Sequence, residues 1–372
     1  MKIHIIGAGA IGGMAGAYMA MGGEDVTFVD QWAEHATALR ERGLEIDGVR
    51  GRHHLDVRAL SPDELHEPIE LAFVAVKSHH TESAGRLIQP LLTPDATVVS
   101  LQNGFNAEKL AGIVGGDRVL GTVPDYTAAL VAPGRLEFTV EGPIYLGELD
   151  GSVRERTRTV ERLLSMLTTT QVTPNIVGRI WTKQCYMSWI VMTALLDASF
   201  NEVMESMRNR MLGVAVVREA IAVADGAGIV LEEDAYFQSD LLRDRSRAAR
   251  REQAQRIQVL MDHFARRSAA RAEEPYRYVK KGSGMWWDIV YRHRPSETRW
   301  ITGAIVERGE ALGVPTPLNT AMADMIYEVE EGRRALGWSN LDELALLAVR
   351  LGEPLSLETE WDAARGAETG IA

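Results

Sequence analysis

The run Gly7-Ala8-Gly9-Ala10-Ile11-Gly12 directly follows the apolar segment Lys2–Ile6 and opens a helical stretch through Tyr18 and Met21. Each glycine answers a separate steric demand. Gly7 allows a tight turn, Gly9 lets backbone approach a pyrophosphate, and Gly12 lets helix and strand pack closely. Phosphates would meet a helix N-terminus at Ala10 and Ile11, where unpaired N–H groups and the helix dipole favour negative charge. A glycine turn without a ligand could carry the same letters. The strand–turn–helix setting instead predicts one half of a Rossmann-type, dinucleotide-binding sheet.

The second strand-like run ends at Asp30, eighteen residues beyond Gly12. A carboxylate there can accept hydrogen bonds from both ribose hydroxyls of NAD and would repel the 2′-phosphate of NADP. Residue 31 is Gln rather than a cation, so NAD is the expected cofactor and NADP the alternative. Lys77 and Asn103 follow two further apolar runs, at strand ends of the kind where open α/β sheets place ligands. Each could meet the cofactor or substrate there; a surface lysine and a turn asparagine are the plainer possibilities.

Short β-rich runs alternate with helical stretches through the first half of the chain, as in a parallel sheet with crossover helices. Strands are expected at 2–6, 25–29, 70–76, 96–101 and 118–122. Segments 127–131, 136–141 and 143–147 read as antiparallel strands extending one sheet edge, and 172–177 as a closing strand. From residue 179 the apolar spacing is helical. The predicted class is α/β, with a doubly wound Rossmann domain over 1–177 and an all-helical domain over 178–372 carrying a long insertion around 235–282. The 372 residues suit two domains. A net charge of −12 argues against nucleic acid as a partner. Cys185 is the only cysteine, so no intramolecular disulfide is possible. The apolar stretch 185–200 is interrupted by Ser188, Thr193 and Asp197, too polar for a membrane span. A cytoplasmic protein acting on a small molecule, without metal or membrane and assembled as a homodimer, is expected.

The chain resembles the ketopantoate reductase (2-dehydropantoate 2-reductase) family. Besides the 7–12 turn, the resemblance rests on Val76-Lys77, Gln102-Asn103-Gly104, Gly121-Thr122, Ala128-Ala129 and Pro133-Gly134. It continues through Ile180-Trp181-Thr182-Lys183, Ser296-Glu297 and the run from Gly313 to Asn319. It implies a Rossmann domain and a helical domain with substrate in the cleft between them, and hydride transfer from nicotinamide to a 2-oxo acid. Lys183 would be the catalytic acid, Glu297 a substrate-binding carboxylate, and Asn103 and Lys77 would line the cofactor–substrate junction. Ser283 is the nearest match to a substrate-binding serine. The family helix usually presents asparagines four and eight residues beyond its lysine; here those positions are Met187 and Val191, giving a more apolar substrate wall. Ketopantoate reductases mostly prefer NADPH, against which Asp30 argues.

Lys183 lies among Ile180, Trp181, Tyr186, Met187 and Ile190, and apolar surroundings favour the neutral amine. A helix-end lysine reaching solvent is the plain alternative. Glu297 could equally be a helix-opening acid, and Arg292 or Arg294 could grip a carboxylate. Trp286, Trp287 and Trp300 could wall a bulky substrate or simply pack. Two other functions remain open: an NAD-dependent dehydrogenase of a larger apolar or aromatic alcohol, and a non-catalytic nucleotide sensor in which Lys183 is dispensable.

Overall fold

The computed structural model describes residues 1–233, 237–269 and 284–356. Two compact units divide the chain inside one helix, between Ile180 and Trp181.

The first unit is built on strands β1 (Lys2–Ile6), β2 (Asp25–Val29), β3 (Leu44–Gly48), β4 (His53–Leu55), β5 (Arg58–Leu60) and β6 (Ile69–Val74). They continue with β7 (Leu92–Ser100), β8 (Val119–Pro124), β9 (Thr127–Ala132), β10 (Arg135–Val140), β11 (Ile144–Glu148) and β12 (Thr170–Val172). Its helices are α1 (Ala10–Met21), α2 (Ala33–Arg42), α3 (Thr81–Ile88), α4 (Asn106–Val114) and α5 (Glu155–Ser165), and α6 (Ile176–Val191) runs on into the second unit.

Eight strands form one sheet in the order β12-β11-β8-β7-β6-β1-β2-β5. β2, β1, β6, β7 and β8 run parallel, and the strand order reverses at β1. Both faces are covered, which is why these strands read as near-continuous apolar runs. Ile3, Ile5, Leu71 and Phe73 enter one buried cluster, and Ile6, Ala72, Val74 and Val98 the other.

The three strands expected to extend one edge separate. β11 does pair with β8, antiparallel. β9 and β10 instead join β3 and β4 in a second sheet of order β4-β3-β10-β9. The reason lies in α1, whose outer side also needs cover. Gly13 lies against Leu136 of β10, the Tyr126 hydroxyl donates to the Ile11 carbonyl at 2.8 Å, and Tyr18 meets Phe138 edge-on at 6.0 Å. Helix α1 is therefore buried between two sheets and carries no polar face. The strand expected over 172–177 is cut short at Val172, because Asn175 caps α6: its Oδ1 accepts from Gly178 N–H at 3.0 Å.

The described part of the second unit is helical: α7 (Phe200–Met204), α8 (Met207–Gly226), α9 (Ser239–Arg243), α10 (Arg247–Ala269), α11 (Gly284–Trp286), α12 (Thr302–Leu312), α13 (Pro317–Glu330) and α14 (Trp338–Arg350). Glu219 of α8 holds the start of α13, accepting from the N–H groups of Leu318 and Asn319 at 2.9 Å each. The Arg-rich α10 buries Arg250 and Gln253 together with Ala249, Ala254 and Ile257. The remainder of the 235–282 insertion beyond it, residues 270–282, lies outside the described residues. No described helix is long and apolar enough to cross a membrane.

Candidate active site

The glycine turn sits between β1 and α1, beside the point where strand order reverses. Gly7 has φ +97°, and a Cβ there would meet the Val76 backbone nitrogen at 2.8 Å. Gly12 is packed as tightly against the Gly7 carbonyl and Ala75. At Gly9, by contrast, an added Cβ would meet nothing within 4 Å. The first turn of α1 contains no acidic side chain and its cap no side-chain hydrogen bond. Open space over Gly9 and uncapped N–H groups at the helix start together fit a pyrophosphate.

Asp30 is half-buried at the end of β2. One carboxylate oxygen accepts from Ala8 N–H at 2.8 Å and the other from Trp32 N–H at 2.9 Å. These bonds fix the carboxylate beside the turn while leaving lone pairs for ribose hydroxyls.

Lys77 and Asn103 stand at the carboxyl ends of neighbouring parallel strands β6 and β7, both half-buried. A buried polar network that sequence reasoning missed joins their loops. Gln102 donates through Nε2 to the Val76 carbonyl and to Thr81 Oγ1, both at 2.8 Å. Thr81 Oγ1 donates to Asn106 Oδ1 at 2.8 Å, and Asn106 Nδ2 reaches Ser78 Oγ at 2.8 Å and the Asn103 carbonyl at 2.6 Å. Removing the amide strands several buried groups, each worth about 1–3 kcal/mol. Asn106→Ala is therefore expected to lower unfolding free energy by about 3 kcal/mol, read by urea denaturation. A change under about 0.5 kcal/mol would show that the loops are held by other means.

In the second unit, α6 separates its faces clearly around Lys183. Thr182, Gln184, Cys185, Ser188 and Trp189 are buried, whereas Lys183, Tyr186, Met187 and Ile190 are half-buried and share one side. Val191, expected on the same wall, is fully buried. The eighth residue on is rotated about 80° around a helix of 3.6 residues per turn, while the seventh, Ile190, returns to within about 20°. Burial raises the Cys185 thiol well above its usual range, so it is no nucleophile.

Glu297 is 8% exposed and opens a 3₁₀ turn, Thr298–Trp300, ahead of α12. Gln184 Nε2, one residue beyond Lys183, donates to the Trp300 carbonyl at 3.4 Å, so α6 and the Glu297 turn are neighbours. Ser296 N–H donates to Glu330 at 2.9 Å. The Nε and Nη2 edge of Arg294 is taken by buried Asp288, at 3.0 and 2.7 Å, and is not offered to a substrate carboxylate. Trp286 is buried, and Trp287 stacks on Tyr291 at 4.0 Å. Ser283 lies outside the described residues. Among the described residues no group of three or more His, Cys, Asp or Glu side chains could hold a metal ion.

The family model described as Ketopantoate reductase PanE/ApbA matches residues 3–151, and its C-terminal counterpart matches residues 175–330. The chain belongs to the ketopantoate reductase family. It is accordingly an oxidoreductase that uses a nicotinamide cofactor and acts on a C=O/CH–OH centre of a small molecule. A 2-dehydropantoate 2-reductase of Archaeoglobus fulgidus is 30% identical over 335 residues, covering 89% of this chain and 98% of that protein. One from Streptococcus pyogenes is 25% identical over 333 residues, with the same coverage. The solved D-mandelate dehydrogenase, in a ternary complex with NADH and anilino(oxo)acetate, shares the fold at TM-score 0.73 and 23% identity, covering 90% of this chain and 99% of that one. Tyr186, Met187 and Ile190 are the half-buried residues that accompany Lys183 on this side of α6.

Proposed function

We propose that the chain interconverts a 2-oxo acid and its 2-hydroxy acid, with NAD preferred over NADP and Lys183 handling the proton. The observation that carries this reading is Lys183 on the half-open face of α6, in a chain whose glycine turn and Asp30 suit a dinucleotide. Bound nicotinamide would supply or accept the hydride. Lys183 would donate a hydrogen bond to the carbonyl oxygen and pass its proton there as negative charge develops. In the oxidative direction the neutral amine would take the hydroxyl proton. Glu297 would orient the substrate through a second hydroxyl, and Lys77 and Asn103 would order the reacting end of the cofactor. A cytoplasmic assembly of two copies completes the reading; the exposed apolar residues Trp338, Leu346 and Val349 of α14 are available for pairing, and light scattering tests it.

A second reading has one specific observation in its favour. Tyr186, Met187 and Ile190 share the face of Lys183, which suits a larger apolar or aromatic substrate. The fold neighbour D-mandelate dehydrogenase, solved with an anilino(oxo)acetate, accords with it. Assaying 2-dehydropantoate and aryl 2-oxo acids with NADH and NADPH, beside alcohols with NAD, separates the two. Turnover of 2-oxo acids, 2-dehydropantoate among them, supports the first, and preference for larger apolar or aromatic alcohols with NAD the second. Activity on neither set would refute both.

Cofactor choice has its own test. Asp30→Asn keeps an acceptor for Ala8 N–H but removes the charge facing a 2′-phosphate. The ratio of NADP to NAD affinity is expected to rise about tenfold, equivalent to about 1.4 kcal/mol. An unchanged ratio in titration calorimetry would leave Asp30 without a role in discrimination.

A further inference from the structure

His35 lies in α2, outside every motif considered above, and its ring is fully buried. Nδ1 lies 3.0 Å from the N–H of Gly134, and Nε2 lies 2.9 Å from the carbonyl oxygen of Ala8. A backbone N–H can only donate, so Nδ1 must be the acceptor. The ring is thus neutral with its proton on Nε2, and Nε2–H donates to Ala8. Ala8 is the residue between the first two glycines of the turn. Its N–H is already held by Asp30 Oδ2 at 2.8 Å, so both of its backbone polar groups are clamped from outside the turn. Gly134 is anchored in its own right, at φ +77° between β9 and β10, with its carbonyl accepting from Glu45 N–H at 2.8 Å. Trp32 stacks over the imidazole at 5.9 Å and 27° and shields it from solvent.

We propose that His35 is a positioning residue for the phosphate-binding turn, fixing the Ala8 carbonyl against the second sheet so that the N–H groups opening α1 stay aimed at the cofactor. The proposal rests on the reading that this turn holds a nicotinamide dinucleotide. His35 touches no reacting atom and acts through Ala8 alone. Its neutral ring adds no charge to repel or attract the phosphates; the contribution is orientation, which lowers the ordering that binding must supply.

The two ring nitrogens can be tested separately, because glutamine places an N–H near the Nε2 position and asparagine an acceptor near Nδ1. Affinity for NADH and for ADP-ribose would be measured by titration calorimetry on wild type, His35→Gln and His35→Asn, with thermal denaturation of each. His35→Gln is expected to bind within about threefold of wild type and His35→Asn at least about tenfold more weakly, a difference of about 1.4 kcal/mol, even if both lose similar thermal stability. Equal affinities for the two variants would overturn the proposal, since a purely structural histidine would not distinguish them. Wild-type protein that binds neither ligand would instead reject the dinucleotide reading itself, and the positioning role with it. A measurement independent of any variant is nitrogen-15 NMR of the ring, expected to show the proton on Nε2 with and without NADH; a proton on Nδ1 in either state would refute the assignment.

Discussion

Lys183→Ala is expected to reduce kcat at least about a hundredfold, the usual scale for losing a positioned acid–base group. The side chain is half-buried on the open side of α6, and the residues that pack that helix, Thr182, Gln184, Cys185, Ser188 and Trp189, are untouched by the change. Stability should therefore fall little, and unfolding curves will separate a lost proton donor from a lost fold. Cofactor affinity should also hold, because the glycine turn and Asp30 belong to the other unit. Lys183→Arg distinguishes charge from proton transfer: a guanidinium keeps the positive charge but does not give up a proton in proteins. If Lys183 supplies the proton, arginine will restore little, whereas a small primary amine added to the alanine variant will recover part of the rate. Turnover in Lys183→Ala within a fewfold of wild type would end this mechanism and assign the proton to another group.

What could be read from the sequence follows from how far apart the responsible residues lie. The five central parallel strands announce themselves because each is buried on both faces, and the glycine turn because its steric demands fall within six residues. Strands β4 and β5 have three residues each, and β3, though as long as β1, is partly exposed. In β3, Leu44 and Ile46 point inward and Glu45 outward, too brief an alternation to stand out. The pairing of β10 with β3, Leu136 opposite Ile46, joins segments far apart in the chain, and no local pattern records it. The second sheet escaped for that reason, and His35 with it, since its importance appears only once Gly134 stands beside the turn. The network of Gln102, Thr81, Asn106 and Ser78 likewise exists only when β6 and β7 lie side by side. On α6, Met187 shares the half-buried side of Lys183, whereas Val191, expected on the same wall, is fully buried. A spacing of eight drifts off a helical face towards the core, where Val191 is found, and a spacing of seven, at Ile190, does not.

The glycine turn offers the second large effect, because two of its glycines should fail in opposite ways. A Cβ on Gly12 would sit 2.2 Å from the Gly7 carbonyl oxygen and 2.7 Å from the Ala75 Cβ. Neither neighbour can yield cheaply. Gly7 is tied to β2 by its N–H bond to the Val29 carbonyl at 2.8 Å, and Ala75 to β1 by its N–H bond to the Ile6 carbonyl at 2.8 Å. Gly12→Ala is thus expected to destabilise the first unit by about 3 kcal/mol, at the upper end of ordinary overpacking, by forcing helix and sheet apart. Gly9 has φ −66°, which alanine adopts freely, and open space where its Cβ would go. Gly9→Ala should leave the unfolding midpoint unchanged while weakening NADH binding at least about tenfold, or about 1.4 kcal/mol, because the added methyl occupies the approach the pyrophosphate needs. Urea denaturation and calorimetry on the two proteins measure both effects. A Gly9→Ala protein that binds NADH like wild type would place the phosphates elsewhere, and a Gly12→Ala protein of wild-type stability would mean that the close contact between α1 and β1 relaxes without cost.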